Sequence, residues 1–167
     1  MRGETLCQVE RMQLYPAQQG AFKRCIWWYH LIAEFWNSPF EALAEAKSVE
    51  TSLKEALLFT LKSNGNGNGN GNGKVKSQDL LNEIKAISYQ FQPFGVSAQV
   101  NSGTAQIYIH TWPERGYSAI DILAETKEDA YKILEKLQEK LKPQAVYVAE
   151  LVRGISEDEN QEGGGET

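Results

Sequence analysis

Apolar and polar residues alternate through two stretches of this chain and recur every three or four positions through two others. From Cys25 to Trp36, Tyr29, Leu31, Ala33 and Phe35 point one way, and Trp28, His30, Ile32, Glu34 and Trp36 the other. That is the period-two signature of a strand. Both sets are largely apolar, so this strand is expected to be covered on both sides. His30 and Glu34, two steps apart on one covered face, are expected to form a satisfied buried polar pair. The second alternating stretch runs from Ile107 to Asp121. Ile107-Tyr108-Ile109-His110 reads as strand and stops at Thr111-Trp112-Pro113, because proline lacks the N–H that a ladder needs. Glu114-Arg115-Gly116 is turn chemistry, and a further strand leaves from Tyr117 through Ile120, Ile122 and Leu123.

Helical spacing is clearest at Val49, Leu53, Leu57 and Thr60/Leu61, and again at Ala130, Ile133, Leu134, Leu137 and Leu141. Each set is the stripe of a helix lying on a sheet. The first helix is expected to start at Ser38 as N-cap, with Pro39 at N1 and Glu41 at N3. The second is expected to start at the cap Thr126, carry a Glu128–Lys132 pair and end before Pro143. Between them, a short helix is expected within Asp79–Lys85 and strands over Ile87–Phe91, Gly95–Val100 and Ala105–His110. The last two strands are joined by a tight turn at Asn101-Ser102-Gly103-Thr104. Val146–Leu151 closes the sheet. The order β-α-β-β-β-β-α-β with short links predicts an α+β two-layer sandwich, a mostly antiparallel sheet with two helices on one face.

Residues 1–24 show no periodicity and are expected to be an irregular N-terminal extension, ahead of one domain over 25–154. Five Asn-Gly repeats, Asn64 to Gly73, favour positive φ and offer nothing apolar. They are expected to form a flexible insertion over 63–74, and they match no glycine-rich phosphate loop.

Composition narrows the function classes. With 167 residues, 41% hydrophobic and 23% charged, the chain suits one globular domain. Of the net charge of −5, five acidic residues (Glu157, Asp158, Glu159, Glu162, Glu166) fall in a Gly-rich end. Without them the body is formally neutral, and residues 155–167 read as an acidic disordered tail. A neutral body offers no field for nucleic acid or anionic lipid. Cys7 and Cys25 are too few for a disulfide framework, Arg2, Glu4 and Glu10 keep the first residues from reading as a signal peptide, and no apolar run has membrane length, so a cytoplasmic setting is expected. Two cysteines and two histidines give no metal-ligand spacing, and no metal is expected.

The chemistry concentrates at the 107–121 corner, where a histidine, a tryptophan and a carboxylate fall within five residues. Such corners carry binding or catalytic groups, or they simply turn the chain. The stretch His110-Thr111-Trp112-Pro113-Glu114-Arg115-Gly116-Tyr117-Ser118-Ala119-Ile120-Asp121 resembles the signature of the bacterial-type S-adenosylmethionine decarboxylases, pyruvoyl-dependent enzymes of spermidine synthesis. Phe94-Gly95-Val96-Ser97 is similar to the family's upstream turn, Tyr29–Phe35 to its first strand, and Gln144–Glu150 with Arg153-Gly154 to its last. The resemblance implies the same α+β sandwich. It further implies that two such sheets pack face to face in a homodimer with helices outside, an αββα arrangement.

The resemblance also assigns roles. In the family the chain cuts itself within Glu-Ser-His, and the serine becomes the pyruvoyl group that serves as electron sink. Counted back from His110, that triplet falls on Thr104-Ala105-Gln106. A methyl group cannot attack a carbonyl, so no pyruvoyl cofactor is expected. The general-acid cysteine falls on Glu125. Ser97 and His110 match the residues that assist self-processing, and Glu125 joins them as a catalytic remnant. Phe91 matches the aromatic that stacks on adenine, and Glu114 the carboxylate that holds the ribose. Two readings follow. One is a divergent member without self-processing that binds S-adenosylmethionine or a related nucleoside, or serves as a regulatory subunit in a homodimer or hetero-oligomer. The other is an active decarboxylase with an unorthodox cleavage site.

Overall fold

The computed structural model describes residues 6–11, 28–64 and 83–154. Ten principal elements follow one another: β1 (Leu6–Arg11), β2 (Trp28–Trp36), α1 (Phe40–Leu43), α2 (Ala46–Asn64), β3 (Lys85–Gln90), β4 (Val96–Asn101), β5 (Ala105–Trp112), β6 (Tyr117–Ala124), α3 (Lys127–Leu141) and β7 (Ala145–Arg153), with a 3₁₀ turn at Pro113–Arg115 between β5 and β6. The strands form one sheet in the order β1-β7-β2-β6-β5-β4-β3. Every neighbouring pair is antiparallel except β1 with β7.

Alternation decides which face each strand gives to the helices. Leu31, Ala33 and Phe35 of β2 are at most 1% exposed, as are Ile107 and Ile109 of β5 and Ile120, Ile122 and Ala124 of β6. They meet Val49, Leu53, Ala56 and Leu57 of α2, and Ala130, Ile133, Leu134, Leu137 and Leu141 of α3. Burying each of the large side chains contributes roughly 2 kcal/mol. The expected sandwich and both helix stripes are therefore present. Thr126 caps α3 by accepting from Asp129 N–H at 3.1 Å, and Lys132 pairs with Glu128 at 2.6 Å.

Four expectations need correction. Leu6–Arg11, inside the stretch read as irregular, forms a strand whose partner is 139 residues away at Ala145, so local periodicity did not reveal it. The first helix is broken: α1 covers four residues, and α2 restarts at Ala46. Pro39 is the N-cap, without a side-chain cap bond, and the buried Ser38 hydroxyl finds no partner. His30 and Glu34 do not pair with each other; His30 Nε2 meets Asp121 Oδ1 at 2.8 Å, while Glu34 accepts from Tyr117 Oη at 3.1 Å. The Asn-Gly repeats beyond Asn64, residues 79–82 of the short helix, Cys25 and the acidic tail lie outside the described residues.

Candidate functional site

The corner after β5 is built as its residues dictate. Pro113 opens the 3₁₀ turn and Gly116 closes it at φ 58°. A Cβ on Gly116 would stand 2.9 Å from the Ser38 carbonyl oxygen, so only glycine lets the corner lie against the β2–α1 connection. Glu114 is exposed at the outside of this corner. A second reversal lies beside it, where Phe91 N–H donates to Gly95 O at 2.8 Å. Gly95 takes φ 101°, and a Cβ there would reach Thr111 O at 3.0 Å, Phe91 Cβ at 3.8 Å and Pro113 Cδ at 3.9 Å. The turn carrying Phe91 and the turn carrying Glu114 thus share one edge of the sheet.

Two side chains clamp that edge to the break between α1 and α2. Thr111 is buried, donates to Leu43 O at 2.9 Å and accepts from Val96 N–H at 2.8 Å. Gln90 accepts from Ala46 N–H at 2.7 Å and donates to Ala44 O at 2.8 Å and Gly95 O at 3.0 Å. Gln90 escaped sequence reading because its partners lie 44 and 46 residues away. Phe91 itself is 44% exposed and packs edge-on to Tyr89.

The sheet face turned away from the helices carries the polar groups. Ser97 and His110 stand opposite each other on β4 and β5. They are linked through Tyr108, whose hydroxyl bonds His110 Nε2 and lies 3.4 Å from Ser97 Oγ. Tyr108 shares His110's face by strand parity, a signal that the alternation contained. Burial first, and then the charge of Glu34, raises the Tyr117 hydroxyl above the ordinary tyrosine range.

Thr104, Ala105, Gln106 and Glu125 gather at the opposite end of β5. Ala105 pairs with Ala124, and its methyl belongs to the core at 4% exposure. Glu125 N–H donates to Thr104 O at 3.2 Å, and Ser102 gives Ala105 O both its N–H, at 3.0 Å, and its hydroxyl, at 3.3 Å. Gln106 points to the same face as His110. His110 lies five strand steps beyond Ala105, about 17 Å at strand rise. One chain therefore brings Ser97 and His110 together, and Thr104, Ala105 and Glu125 together, but not the two groups with each other. Among the described residues no cluster of three His, Cys, Asp or Glu is placed to hold a metal ion. A shallow hollow near Lys47, Glu55 and Lys140 lies on the helix layer, away from all of these residues.

A sequence profile described as S-adenosylmethionine decarboxylase matches residues 76–154. The S-adenosylmethionine decarboxylase proenzyme of Thermosipho melanesiensis is 34% identical over 126 residues, covering 75% of this chain and 82% of that protein. The proenzyme of Thermococcus onnurineus is 42% identical over 79 residues, covering 46% of this chain and 56% of that one. The crystal structure of the adenosylmethionine decarboxylase from Aquifex aeolicus matches with a TM-score of 0.61 over 82% of this chain and 98% of that chain. At 22% identity, that likeness is one of fold.

Proposed function

This chain belongs to the S-adenosylmethionine decarboxylase family, and from that membership we propose that it binds an adenosine-containing ligand or serves as a regulatory subunit, without self-processing or pyruvoyl catalysis. Ala105 carries the reading. It stands where the family motif places the serine that becomes the pyruvoyl group, and residues 104–106 do not fit that group. A serine attacks the carbonyl of the residue before it; the Ala105 side chain has no oxygen and is packed into the core. Ser102 does not substitute: it lies three residues before Ala105, an odd displacement along the strand direction, and its hydroxyl donates to Ala105 O at 3.3 Å. Glu125, in place of the general-acid cysteine, departs in the same direction.

Phe91 and Glu114 support retained nucleoside binding, since both turns that carry them are held at one edge by Thr111 and Gln90. A homodimer through the open sheet face and a cytoplasmic setting belong to the same proposal. Among the described residues, no helix is long and apolar enough to cross a membrane.

Intact mass tests the loss of processing: the purified protein should be a single chain of 18.7 kDa with no carbonyl-reactive N-terminus. Two fragments dividing near residues 101–105 would overturn the proposal in favour of an active enzyme cleaved at an unorthodox site. Calorimetry tests the ligand. Stacking contributes on the order of 1 kcal/mol and charge-assisted hydrogen bonds about 2–3 more, which corresponds to weak binding, roughly tens of micromolar to millimolar. S-adenosylmethionine and methylthioadenosine should bind alike, and Glu114→Gln should weaken both. No nucleoside binding at millimolar concentration would sink this part of the reading.

A further inference from the structure

We propose that the outer edge of β3 is an interaction surface for the same edge of a second copy of this chain, the two sheets joining antiparallel into one. β3 ends the sheet, with β4 as its one neighbour. Hydrogen bonding fixes which of its backbone groups face β4. Phe91 N–H donates to Gly95 O at 2.8 Å, and this pair continues the β3–β4 register. Bonded pairs alternate along an antiparallel ladder. Tyr89 and Ile87 therefore turn their backbone groups to β4, while Ala86, Ser88 and Gln90 turn theirs outward. Val96 agrees from the other side, since its N–H is directed to β5 and Thr111 Oγ1 accepts it at 2.8 Å. Among the described residues, no backbone hydrogen bond outside the ladders uses the outward groups of Ala86, Ser88 or Gln90.

Edge strands are ordinarily blunted by charge, by proline or by a covering element. β3 has none of these along its length: its one charge is Lys85, at its first residue, and Ala86-Ile87-Ser88-Tyr89-Gln90 is neutral. The sequence of β1, at the opposite edge, contains Glu10 and Arg11. Ile87 and Tyr89 stand 71% and 63% exposed on the side away from the helices. On the helix side the strand is held in place, because Ser88 donates to Glu50 Oε2 at 2.6 Å and Gln90 to Ala44 O at 2.8 Å. An ordered strand with free outward groups is a template for another strand.

The partner follows from self-complementarity. With Ser88 on a two-fold axis normal to the sheet, Ser88 meets its own counterpart, Ala86 meets Gln90, and Gln90 meets Ala86. All three are outward residues, so each pair is hydrogen-bonded. A slip of one residue sets outward groups against inward ones. A slip of two leaves either Ala86 or Gln90 beyond the end of the facing strand. In the symmetric register Ile87 lies beside the copy's Tyr89, a β-branched and aromatic pair that stabilises sheets, and symmetry repeats it. No charge opposes a like charge within these five residues. The axis keeps both helix layers on one side, so the open face stays free for a further copy. Neither Glu114 nor Ala105 takes part, and the pairing stands or falls apart from the nucleoside reading.

Ser88→Cys tests the register in the full-length protein. Opposed residues of a hydrogen-bonded pair have Cα atoms about 5.5 Å apart, within disulfide reach. Oxidation with copper–phenanthroline should link most of the S88C chains in pairs, with the 88–88 linkage identified by peptide mass. Ala86→Cys should link no more than the parent, because its counterpart lies four residues along the facing strand, about 13 Å away. Ala86→Pro removes an outward N–H that the ladder with β4 does not use, so the edge strand keeps its fold. It should lower the association constant from sedimentation equilibrium at least tenfold, roughly one bonded pair's worth. In the parent, hydrogen exchange at the Ala86 and Ser88 amides should slow as the protein is concentrated from about 10 μM to about 1 mM. Equal crosslinking of S88C and A86C, or folded A86P that associates like the parent, would overturn the pairing. So would amide protection that does not change with concentration, which means an edge left free or filled from within the chain. Should both variants fail to fold by circular dichroism, exchange in the parent decides.

Discussion

At Glu50 a single carboxylate joins a helix to a strand and shows how a pair within one helix differs from a tertiary contact. Lys54 Nζ, one turn along α2, lies 2.6 Å from its Oε1, and Ser88 of β3 donates to its Oε2 at 2.6 Å. The first contact is local to the helix and contributes little by itself. The second crosses between layers. Lys54, then Ser88, holds the Glu50 carboxyl below the ordinary glutamate range, against a smaller opposing effect of burial. The sign follows from linkage: a carboxyl depressed in the folded state contributes stability above its unfolded value, and that stability is lost as pH falls through the folded one. Ser88→Ala should therefore be less stable than the parent at neutral pH, with the gap closing in the acid range as Glu50 protonates in both. Urea midpoints measured from pH 7 down to 3 would show it. A gap that stays constant over that range would mean that Ser88 acts by packing and not through the Glu50 charge.

Elements with a repeating pattern were legible in the sequence, and those fixed by distant partners were not. The β2 alternation placed Leu31, Ala33 and Phe35 on the buried face correctly, because a pleated strand has only two sides. The α3 stripe and its Thr126 cap were equally readable, since both depend on residues three or four apart. The α1–α2 break was not. Ser38-Pro39-Phe40-Glu41 has the letters of a helix start, yet the chain breaks again at Ala44–Glu45, where Gln90 supplies both a donor and an acceptor from another strand. With those backbone groups satisfied from outside, the interruption costs the helix little. The candidate site divides in the same way. The motif singled out Ser97, His110, Phe91 and Glu114 as candidates, and parity could have added Tyr108. The His30–Asp121 contact spans 91 residues and needed the β2–β6 register, which no local pattern contains.

For the whole molecule, the two faces of the sheet are unequally provided for. Helices cover one; the other presents Ile32, Trp36, Ile87, Tyr89 and Trp112, between 37% and 71% exposed. Register places these side chains, from β2, β5 and the edge strand β3, on the same side of the sheet. A face this rich in large apolar groups is more than single exposed residues account for. A second copy related by a two-fold axis would cover it with an identical surface, and such closed symmetry requires no other partner. The body of the chain is formally neutral once the acidic end is set aside, so no large net repulsion opposes the association. It would also lay one copy's Ser97–Tyr108–His110 end of the face against its partner, which matters because a single chain keeps that end about 17 Å from Ala105 along β5. Light scattering at micromolar concentration should accordingly give twice the chain mass of 18.7 kDa. Ile32 is the sharpest probe: it is 37% exposed on β2 near the middle of the sheet, and its side chain is outside the core. Ile32→Arg places a charge at the contact and should shift the protein to monomer while leaving the far-ultraviolet dichroism unchanged. A parent protein that scatters as a monomer, or an Ile32→Arg variant that dimerises as well as the parent, would remove the open face from consideration as the homodimer interface.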